Sequence, residues 1–265
     1  MTTRAVLAGA AGQLAARGVP TPEVDAEWLL AHVLGVSRSA LQIQNGIAPA
    51  ATARFEALVA RRAQREPLAY VLGEWGFRRL NLKVDRRVLV PRPETEVLVE
   101  RALALLRGIE QPRVLDVGVG SGAIALSIAL EHAGARVTGV DVSPGALQLA
   151  RENAARSGLP VELREGGVEV AAEGWDLVVS NPPYVAADEL ASLEPEVRDW
   201  EPRIAVVGEG LHEELARAAH TRWLALEVGD RQAPAVAAAL TKLGYREVRI
   251  TEDLAGRDRI VEGTR

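Results

Sequence analysis

The 265-residue sequence contains no cysteine, a single methionine and few aromatic residues. The absence of cysteine excludes disulfides, thiolate nucleophiles and cysteine-ligated zinc. The histidines are scattered without metal-ligand spacing, so no metal site is predicted; they are His32, His132, His212 and His220. The sequence has no apolar run of about 18 residues and no signal-peptide pattern at its N-terminus. We therefore expect a cytoplasmic protein that neither crosses a membrane nor is secreted.

The charge balance is mildly acidic, with a formal net charge of −5. A general nucleic-acid coat needs an excess of positive charge, so no stable nucleic-acid binding is expected. Hydrophobic residues make up 48% of the chain and charged residues 25%. This balance is typical of a globular protein with one large domain or two modest ones.

Residues 1–75 show helical periodicity interrupted by helix-ending residues, and they predict a small helical bundle. Thr21-Pro22 predicts a helix start, because an N-cap residue is followed by proline at the first helical position. Ser37 is predicted to cap a short helix. A fourth helix is predicted from about Ala50 to Pro67.

From residue 76 the periodicity changes to that of strands. Leu80, Leu82 and Val84 alternate with polar residues, and residues 85–87 are predicted to turn the chain into a second strand at 88–90. Residues 76–92 are therefore interpreted as a β-hairpin that links the helical bundle to a second domain, residues 93–265.

Helices and strands alternate in the second domain, which predicts a mostly parallel sheet covered on both faces. Strands are predicted at 113–117, 136–140, 161–164, 176–180 and 222–227, and helices at 93–107, 122–132, 143–158 and 231–243. Residues 181–221 are expected to form a long loop. The last two strands, at about 246–251 and 258–263, are close enough in sequence to pair as an antiparallel edge.

The stretch "LDVGVGSGAIA" (115–125) predicts a strand, a glycine-rich turn and the start of a helix. Gly118, Gly120 and Gly122 permit tight backbone turns, and the helix N-terminus offers free N–H groups to a ligand. Asp141 ends the next strand, where a carboxylate can accept hydrogen bonds from both ribose hydroxyls. A nucleoside cofactor is therefore predicted. At this point a nicotinamide oxidoreductase and an S-adenosylmethionine transferase are both compatible with the sequence.

A second group of residues, Asn181-Pro182-Pro183-Tyr184, follows the buried strand at 176–180. The prolines end that strand, because proline cannot donate to a sheet ladder. A planar –NH2 group is a poor nucleophile with two in-plane donors, which the side-chain oxygen of Asn181 and the carbonyl of Pro182 can accept. Tyr184 offers a flat face for stacking. A hydride-transfer enzyme has no use for this arrangement, so methyl transfer to a planar amine is favoured.

On these residues the sequence resembles the HemK family, the protein-(glutamine-N5) methyltransferases that modify class-1 peptide-chain release factors. The resemblance covers nearly the whole chain. It includes the segments "PLAYVLGEWGF" (67–77), "VDRRVLVPRPETEVLVE" (84–100), "DVGVGSGAIA" (116–125), "SNPPYV" (180–185), "EPEVRDWEPR" (194–203) and "LAGRDRIV" (254–261). The fold that the resemblance implies is α/β: a class I S-adenosylmethionine-dependent methyltransferase with a Rossmann-like, mostly parallel sheet, an antiparallel edge hairpin and a small N-terminal helical bundle.

The resemblance also implies a cofactor, S-adenosyl-L-methionine, with S-adenosyl-L-homocysteine as product. The methionine part would be lined by Gly118, Val119, Gly120, Ser121 and Gly122. Asp141 would hold the ribose, Glu165 would lie beside the adenine, and Asn181 would also touch the cofactor. The pocket would be covered by Phe77, Arg92, Pro93, Glu94 and Thr95.

The implied substrate is the glutamine of the Gly-Gly-Gln motif in a class-1 release factor. Its side-chain amide would be bound by Asn181, Pro182, Pro183 and Tyr184, and residues 1–75 would recognise the release factor. This chain departs from the family at three places. Arg78-Arg79 stand where an aromatic residue and a glycine are usual, Gly166 follows Glu165 in place of an aromatic residue, and the segment after Arg203 is short.

Three alternatives stay open at the level of sequence. One is a sister enzyme that methylates a glutamine of a ribosomal protein. Another is a DNA adenine-N6 methyltransferase, which shares the Asn-Pro-Pro-Tyr motif but would need a target-reading domain and a basic groove. The third is a scaffold that binds a nucleoside cofactor without catalysis.

Overall fold

The structure, a computed structural model, describes residues 2–265 and divides the chain into two compact units. The first comprises the residues up to Gly73 together with Glu194–Trp200, and the second comprises Glu74–Leu193 and Glu201–Arg265. The helices are α1 (Thr3–Ala15), α2 (Pro22–Leu34), α3 (Pro49–Arg62), α4 (Leu68–Leu72), α5 (Pro93–Leu105), α6 (Ala123–Glu131), α7 (Pro144–Ser157), α8 (Pro195–Trp200), α9 (Arg203–Val206), α10 (Leu211–Ala218) and α11 (Ala233–Lys242). The strands are β1 (Glu74–Phe77), β2 (Leu80–Lys83), β3 (Arg113–Val117), β4 (Arg136–Asp141), β5 (Val161–Glu165), β6 (Trp175–Ser180), β7 (Thr221–Glu227), β8 (Arg246–Glu252) and β9 (Asp258–Thr264).

The first unit is helical, as its sequence periodicity predicts, and its helices pack around Leu14, Leu29 and Phe55. Ser37 begins a short 3-10 helix at Arg38–Ile43, where its side chain accepts a hydrogen bond from the Ala40 N–H. The helix start predicted at Thr21-Pro22 is confirmed, with Thr21 at the N-cap position and Pro22 as the first helical residue. The Thr21 hydroxyl makes no hydrogen bond to the helix backbone, because it donates to the buried Asp25 carboxylate, with Oδ1 2.9 Å away.

A buried ion cluster attaches the segment Glu194–Trp200 to this helical unit. Arg62 Nε lies 2.7 Å from Asp25 Oδ2, and Arg62 Nη1 lies 2.7 Å from Glu196 Oε1. Only 5% of the Arg62 side chain is exposed. Arg65 donates to both oxygens of Glu196, and its hydrogen bonds to that carboxylate raise the pKa of the Arg65 guanidinium. A segment that follows Asn181 in sequence is thus held by charges of the N-terminal helices.

The second unit contains a seven-stranded sheet in the order β5-β4-β3-β6-β7-β9-β8. The strands from β5 to β7 pair in parallel, and β9 pairs antiparallel with β7 and with β8. The predicted mostly parallel sheet with an antiparallel edge is therefore confirmed. The register matches Val117 of β3 with Val140 of β4 and with Ser180 of β6, so these strands end level with one another.

Two local predictions are wrong. The hairpin is formed by β1 and β2, which pair antiparallel, and residues 88–90 form no strand. Val88 is apolar because it packs against α7 at Ala146 and Leu149, and not because it belongs to a strand. The stretch predicted as a loop at 181–221 contains α8, α9 and α10. Of these, α10 buries Leu215 and Ala216 in a hydrophobic cluster of the sheet, a tertiary contact that the local sequence does not reveal.

We predict that Arg62→Ala lowers the free energy of unfolding by about 3–5 kcal/mol, because the substitution leaves the Asp25 carboxylate buried without its partner. Urea denaturation followed by circular dichroism measures this change. Arg217→Ala is the control, since it removes an ion pair whose two side chains are exposed and is expected to cost at most about 1 kcal/mol. Equal losses in the two variants would contradict a buried role for Arg62.

Candidate active site

A cavity of about 440 Å³ opens at the carboxyl ends of β3, β4 and β6. Open α/β sheets bind ligands at this edge. The cavity is lined by many of the residues singled out in the sequence. These are Arg92, Thr95, Gly118, Val119, Gly120, Ser121, Asp141, Asn181, Pro182 and Pro183.

The glycine-rich turn has the conformation that its sequence predicts. Gly118, Gly120 and Gly122 have φ angles of 77°, 53° and 87°, in the left-handed region that favours glycine. Asp141 fixes the turn by accepting a hydrogen bond from the Gly120 N–H at Oδ2, 3.0 Å away, and from the Ser143 N–H at Oδ1, 2.9 Å away. The turn and the end of β4 thus form one cradle.

Asp141 retains acceptor capacity toward the cavity. An ionised carboxylate offers about four lone-pair sites, and the two backbone hydrogen bonds use only some of them. Burial raises the pKa of Asp141, and the N–H groups of Ser143 and Gly120 oppose that rise. The glycine cradle, the nearby helix N-terminus and this carboxylate together fit the methionine and ribose parts of S-adenosylmethionine.

We predict that Asp141→Ala weakens binding of S-adenosylmethionine by about 10- to 150-fold. This range corresponds to the roughly 1.5–3 kcal/mol of a hydrogen bond to a charged group. Isothermal titration calorimetry measures the affinity. Asp176→Ala is the control, because Asp176 also accepts a backbone hydrogen bond, from the Arg113 N–H, but lies outside this cavity. An unchanged affinity in folded Asp141→Ala would remove Asp141 from the cofactor site.

Asp116 is a buried carboxyl group that the sequence analysis did not single out. It lies in β3, directly before the glycine turn. Its Oδ2 atom accepts a hydrogen bond from the Ala125 N–H at 3.1 Å, while Oδ1 has no partner among residues 2–265. Burial raises the pKa of Asp116 to about 7. The signal in the sequence was an acidic residue between the buried apolar residues Leu115 and Val117 of this strand.

Asn181 stands at the end of β6 with its amide held from one side. Its Nδ2 atom donates to Thr95 Oγ1 at 3.1 Å. No residue in the described part of the chain donates to Asn181 Oδ1 or to the carbonyl of Pro182. Next to Asn181, the Ser180 hydroxyl donates to the Val117 carbonyl at 2.7 Å and fixes β6 to β3. The two acceptors that the sequence analysis assigned to a planar amine are therefore available.

Tyr184 does not line the cavity, but its position is closely defined. Its ring stacks on His212, with the ring centroids 6.4 Å apart. Its carbonyl accepts a hydrogen bond from Gln232 Nε2 at 3.0 Å. A Cβ atom at Gly229 would lie 2.8 Å from the ring carbon Cδ2, so only glycine fits there without displacement. The stacking role of Tyr184 toward a substrate stays a prediction.

The short segment after Arg203 closes against the Asn-Pro-Pro-Tyr loop. The Val185 N–H donates to the Val206 carbonyl, and the Gly208 N–H donates to the Val185 carbonyl, each at 3.1 Å. A Cβ atom at Gly208 would lie 2.6 Å from the carbonyl oxygen of Pro183. The close contact between the backbone at Gly208 and the Pro183 carbonyl explains why this short segment has glycine at position 208.

Glu201 joins this segment to the residues before α5. It accepts hydrogen bonds from Arg92 Nη2 at 2.6 Å and from the Val90 N–H at 3.1 Å. Arg92 and Val90 both line the cavity, so the buried Glu201 carboxylate fixes one of its walls. In the sequence, Glu201 belongs to the segment "EPEVRDWEPR" (194–203), which carries part of the family resemblance but gave no role to Glu201.

Several predicted residues lie outside the cavity lining. Phe77 is 1% exposed and packs in the hydrophobic core with Leu82 and Leu98, so we remove it from the cofactor residues. Glu165 is exposed at the end of β5, and the cavity wall is formed instead by the residues that follow it, Gly166 to Glu169. The remaining residues outside the lining are Pro93, Glu94, Gly122 and Tyr184.

Arg78 explains one departure from the family. It occupies the turn between β1 and β2 with a φ angle of 49°. Its guanidinium lies 2.6 Å from Glu131, and its backbone N–H donates to Glu96 at 2.9 Å. Arg78 thus ties the hairpin to α5 and α6, which gives it a structural role.

Comparison with known proteins connects this geometry to a family. Residues 5–73 match the model of the PrmC N-terminal domain, and residues 94–193 match that of the methyltransferase small domain. A release factor glutamine methyltransferase of Deinococcus radiodurans is 44% identical, over 100% of this chain and 99% of the relative. One of Geobacter sulfurreducens, described by the same name, is 41% identical over 99% of this chain and 96% of the relative.

A solved structure supports the fold. The hMettl16 catalytic domain, crystallised with the MAT2A 3′UTR hairpin 6, superimposes with a TM-score of 0.58. The match covers 78% of this chain and 81% of that chain at 17% identity, so it bears on the fold alone. The class I methyltransferase fold and the resemblance stated from the sequence are both confirmed.

Proposed function

Because this chain belongs to the release factor glutamine methyltransferase family, we propose that it methylates class-1 peptide-chain release factors. The acceptor would be the side-chain nitrogen N5 of the glutamine in their Gly-Gly-Gln motif. The enzyme is an S-adenosylmethionine-dependent glutamine methyltransferase. When bound, S-adenosyl-L-methionine supplies an electrophilic methyl group and becomes S-adenosyl-L-homocysteine. The observation that carries the proposal is the pair of free acceptors at Asn181 and Pro182 beside the cavity.

The role proposed for this chain is orientation of the acceptor amide. The lone pair of an amide nitrogen is delocalised, so the nitrogen is a weak nucleophile and must be held in line with the methyl group. Asn181 Oδ1 and the Pro182 carbonyl can accept its two N–H hydrogen bonds. Holding reactants in this way can lower a barrier by about 7–11 kcal/mol. No general base is needed before attack, because the nitrogen loses its proton only after it has become cationic.

The helical unit is proposed to recognise the release factor. A single glutamine offers little surface, whereas stable specific interfaces bury roughly 1,200–2,000 Å². The helical unit contains none of the residues proposed to bind cofactor or amide. It does expose hydrophobic side chains on α2, with Val24 39% and Trp28 41% exposed, and on the 3-10 helix, with Ile43 79% exposed. These side chains support a protein-binding surface.

The alternatives from the sequence are less well supported. The named relatives favour neither a ribosomal-protein glutamine nor DNA adenine as substrate. Absence of stable nucleic-acid binding and a cytoplasmic location stay predictions. Within residues 2–265, none of the helices has the length and apolar character needed to span a membrane.

We predict that Asn181→Ala abolishes methyl transfer to the release factor while the affinity for S-adenosylmethionine stays within about threefold, because Asn181 grips the acceptor amide. Mass spectrometry of the release factor before and after incubation measures the increase of about 14 Da that one added methyl group gives. Asn153→Ala is unsuitable as a control, since Asn153 supports the glycine turn through Ser121. Asn81→Ala, an exposed substitution in β2, serves instead. Wild-type turnover by Asn181→Ala would refute the amide-grip mechanism.

We predict that Trp28→Ala raises KM for intact release factor about tenfold without changing kcat, since aromatic side chains dominate many protein interfaces. Steady-state kinetics with intact release factor measures both constants. A short Gly-Gly-Gln peptide should be methylated equally by variant and wild type, because it lacks the rest of the release factor, which the helical unit is proposed to recognise. Leu254→Ala removes another exposed apolar side chain and is the control. An unchanged KM in Trp28→Ala would exclude this face of α2 as the recognition surface.

A further inference from the structure

A buried carboxyl group lies beside Asn181, at the end of the neighbouring strand. Glu227 is the last residue of β7, and the parallel register pairs Ser180 with Leu226. Asn181 and Glu227 therefore leave adjacent strands at the same edge of the sheet. Glu227 is buried, and its Oε2 atom has no hydrogen-bond partner within residues 2–265. Burial of an incompletely paired carboxyl group is costly, so its presence calls for an explanation.

Thr95 connects Asn181 to Glu227. Its Oγ1 atom accepts the hydrogen bond from Asn181 Nδ2. Its side chain also interacts with the Glu227 carboxyl, where it favours the ionised form and so opposes the rise in the pKa of that group. Thr95 is itself buried in the first turn of α5. The three side chains therefore form one chain of polar groups that ends at the cavity.

The direction of the protons along this chain depends on the charge of Glu227. A threonine hydroxyl has one proton, and an ionised carboxylate can only accept. With Glu227 ionised, Thr95 can donate its proton toward the carboxylate while it accepts from Asn181 Nδ2, which leaves Asn181 Oδ1 facing away from Thr95. With Glu227 protonated, the carboxyl can donate to Thr95, and Thr95 can then donate to Asn181 Oδ1. The amide would be turned around.

We propose that Glu227, acting through Thr95, is a positioning residue that keeps Asn181 Oδ1 directed toward the acceptor amide. The inference rests on the proposed function, since it explains how the acceptor is gripped. It also gives Thr95 a task different from covering the cofactor. The proposed network thus begins at the buried Glu227 carboxyl and ends at Asn181 Oδ1, the oxygen that accepts the hydrogen bond from the substrate amide.

The surroundings of Glu227 place its ionisation in the working pH range. Burial, the largest effect, raises the pKa of Glu227 to about 7. Arg259 from β9 and Arg92 before α5 favour the ionised form, whereas Glu94 disfavours it. The aromatic groups that face this residue are Tyr184 and His212, whose Nε2 atom lies 2.8 Å from the Glu227 carbonyl oxygen. The amide orientation that accepts substrate is thus expected to be populated as the pH rises through about 7.

Substitution of Thr95 tests the network in the full-length enzyme. Thr95→Val keeps the shape of the side chain and removes the hydroxyl, so kcat for release factor should fall about tenfold or more. Thr95→Ser restores the hydroxyl and should recover most of the activity. The affinity for S-adenosylmethionine should stay within about threefold in both variants.

Thr138→Val is the matched control. The Thr138 hydroxyl is buried in β4 and donates to Glu162 Oε2 at 3.2 Å, outside the cavity. Its loss removes an equivalent hydroxyl–carboxylate hydrogen bond without touching Asn181. A fall in kcat of similar size in Thr138→Val would show that Thr95 acts only through stability, and it would overturn the proposal.

The side-chain amide of Asn181 supplies a readout that does not depend on turnover. The chain has four asparagines, Asn45, Asn81, Asn153 and Asn181. Selective ¹⁵N labelling of asparagine therefore yields a simple spectrum, and Asn181→Ala assigns the resonances of interest. In the wild type these resonances should shift with pH near 7. Glu227→Gln should abolish that titration, while Asp116→Asn should leave it in place.

The outcomes separate the inference from the proposed function. Loss of the Asn181 titration in Glu227→Gln, together with a lower kcat in Thr95→Val, would support the positioning network. A titration that persists in Glu227→Gln would overturn it, even in an enzyme that methylates release factor normally. Failure of the wild type to methylate release factor would refute the proposed function, and the resonances would still report whether Glu227 controls the amide.

Discussion

The parallel register of the central strands is the constraint on which the site depends. Val117, Val140 and Ser180 are aligned across β3, β4 and β6, and Leu226 continues the row on β7. The residues that follow these positions therefore lie at the same edge of the sheet, the edge formed by the carboxyl ends of the parallel strands. The glycine turn, Asp141, Asn181 and Glu227 are far apart in sequence, yet they meet because hydrogen bonds between parallel strands leave no freedom of register.

This edge collects carboxyl groups that burial disfavours. Asp116, Asp141, Glu201 and Glu227 all have raised pKa values, and burial is the largest cause for each. Asp116, Asp141 and Glu201 each accept a hydrogen bond from a backbone N–H, and Thr95 favours the ionised form of Glu227. Of these four residues, Asp141 lines the cavity, and its remaining acceptor capacity is available to a polar ligand. The burial of these carboxyl groups costs stability, and that cost is linked to the binding and orientation of ligands at this edge.

The sequence predicts those parts of the fold that local chemistry determines. The strands of the seven-stranded sheet and the glycine turn are predicted correctly, because apolar runs and closely spaced glycines leave a direct signal. Residues 88–90 are wrongly predicted as a strand, because Val88 is apolar for a different reason: it packs against α7. Glu201 and Glu227 are missed as site residues for another reason. Nothing beside them in sequence indicates that Arg92 or Thr95 will lie against them, since those partners are more than a hundred residues away.

The methyl acceptor is proposed to be an amide group, and this explains why the site holds Asn181 through its side-chain nitrogen. The reacting nitrogen carries two N–H donors, so the site must present oxygens, and an unrestrained asparagine can present either its oxygen or its amide nitrogen. A donor at that position would repel the substrate and leave both groups without partners. Only an acceptor on the far side of the Asn181 amide excludes the wrong orientation. Thr95 supplies that acceptor as long as its own proton has a destination, and the destination that we propose is the neighbouring buried carboxyl of Glu227.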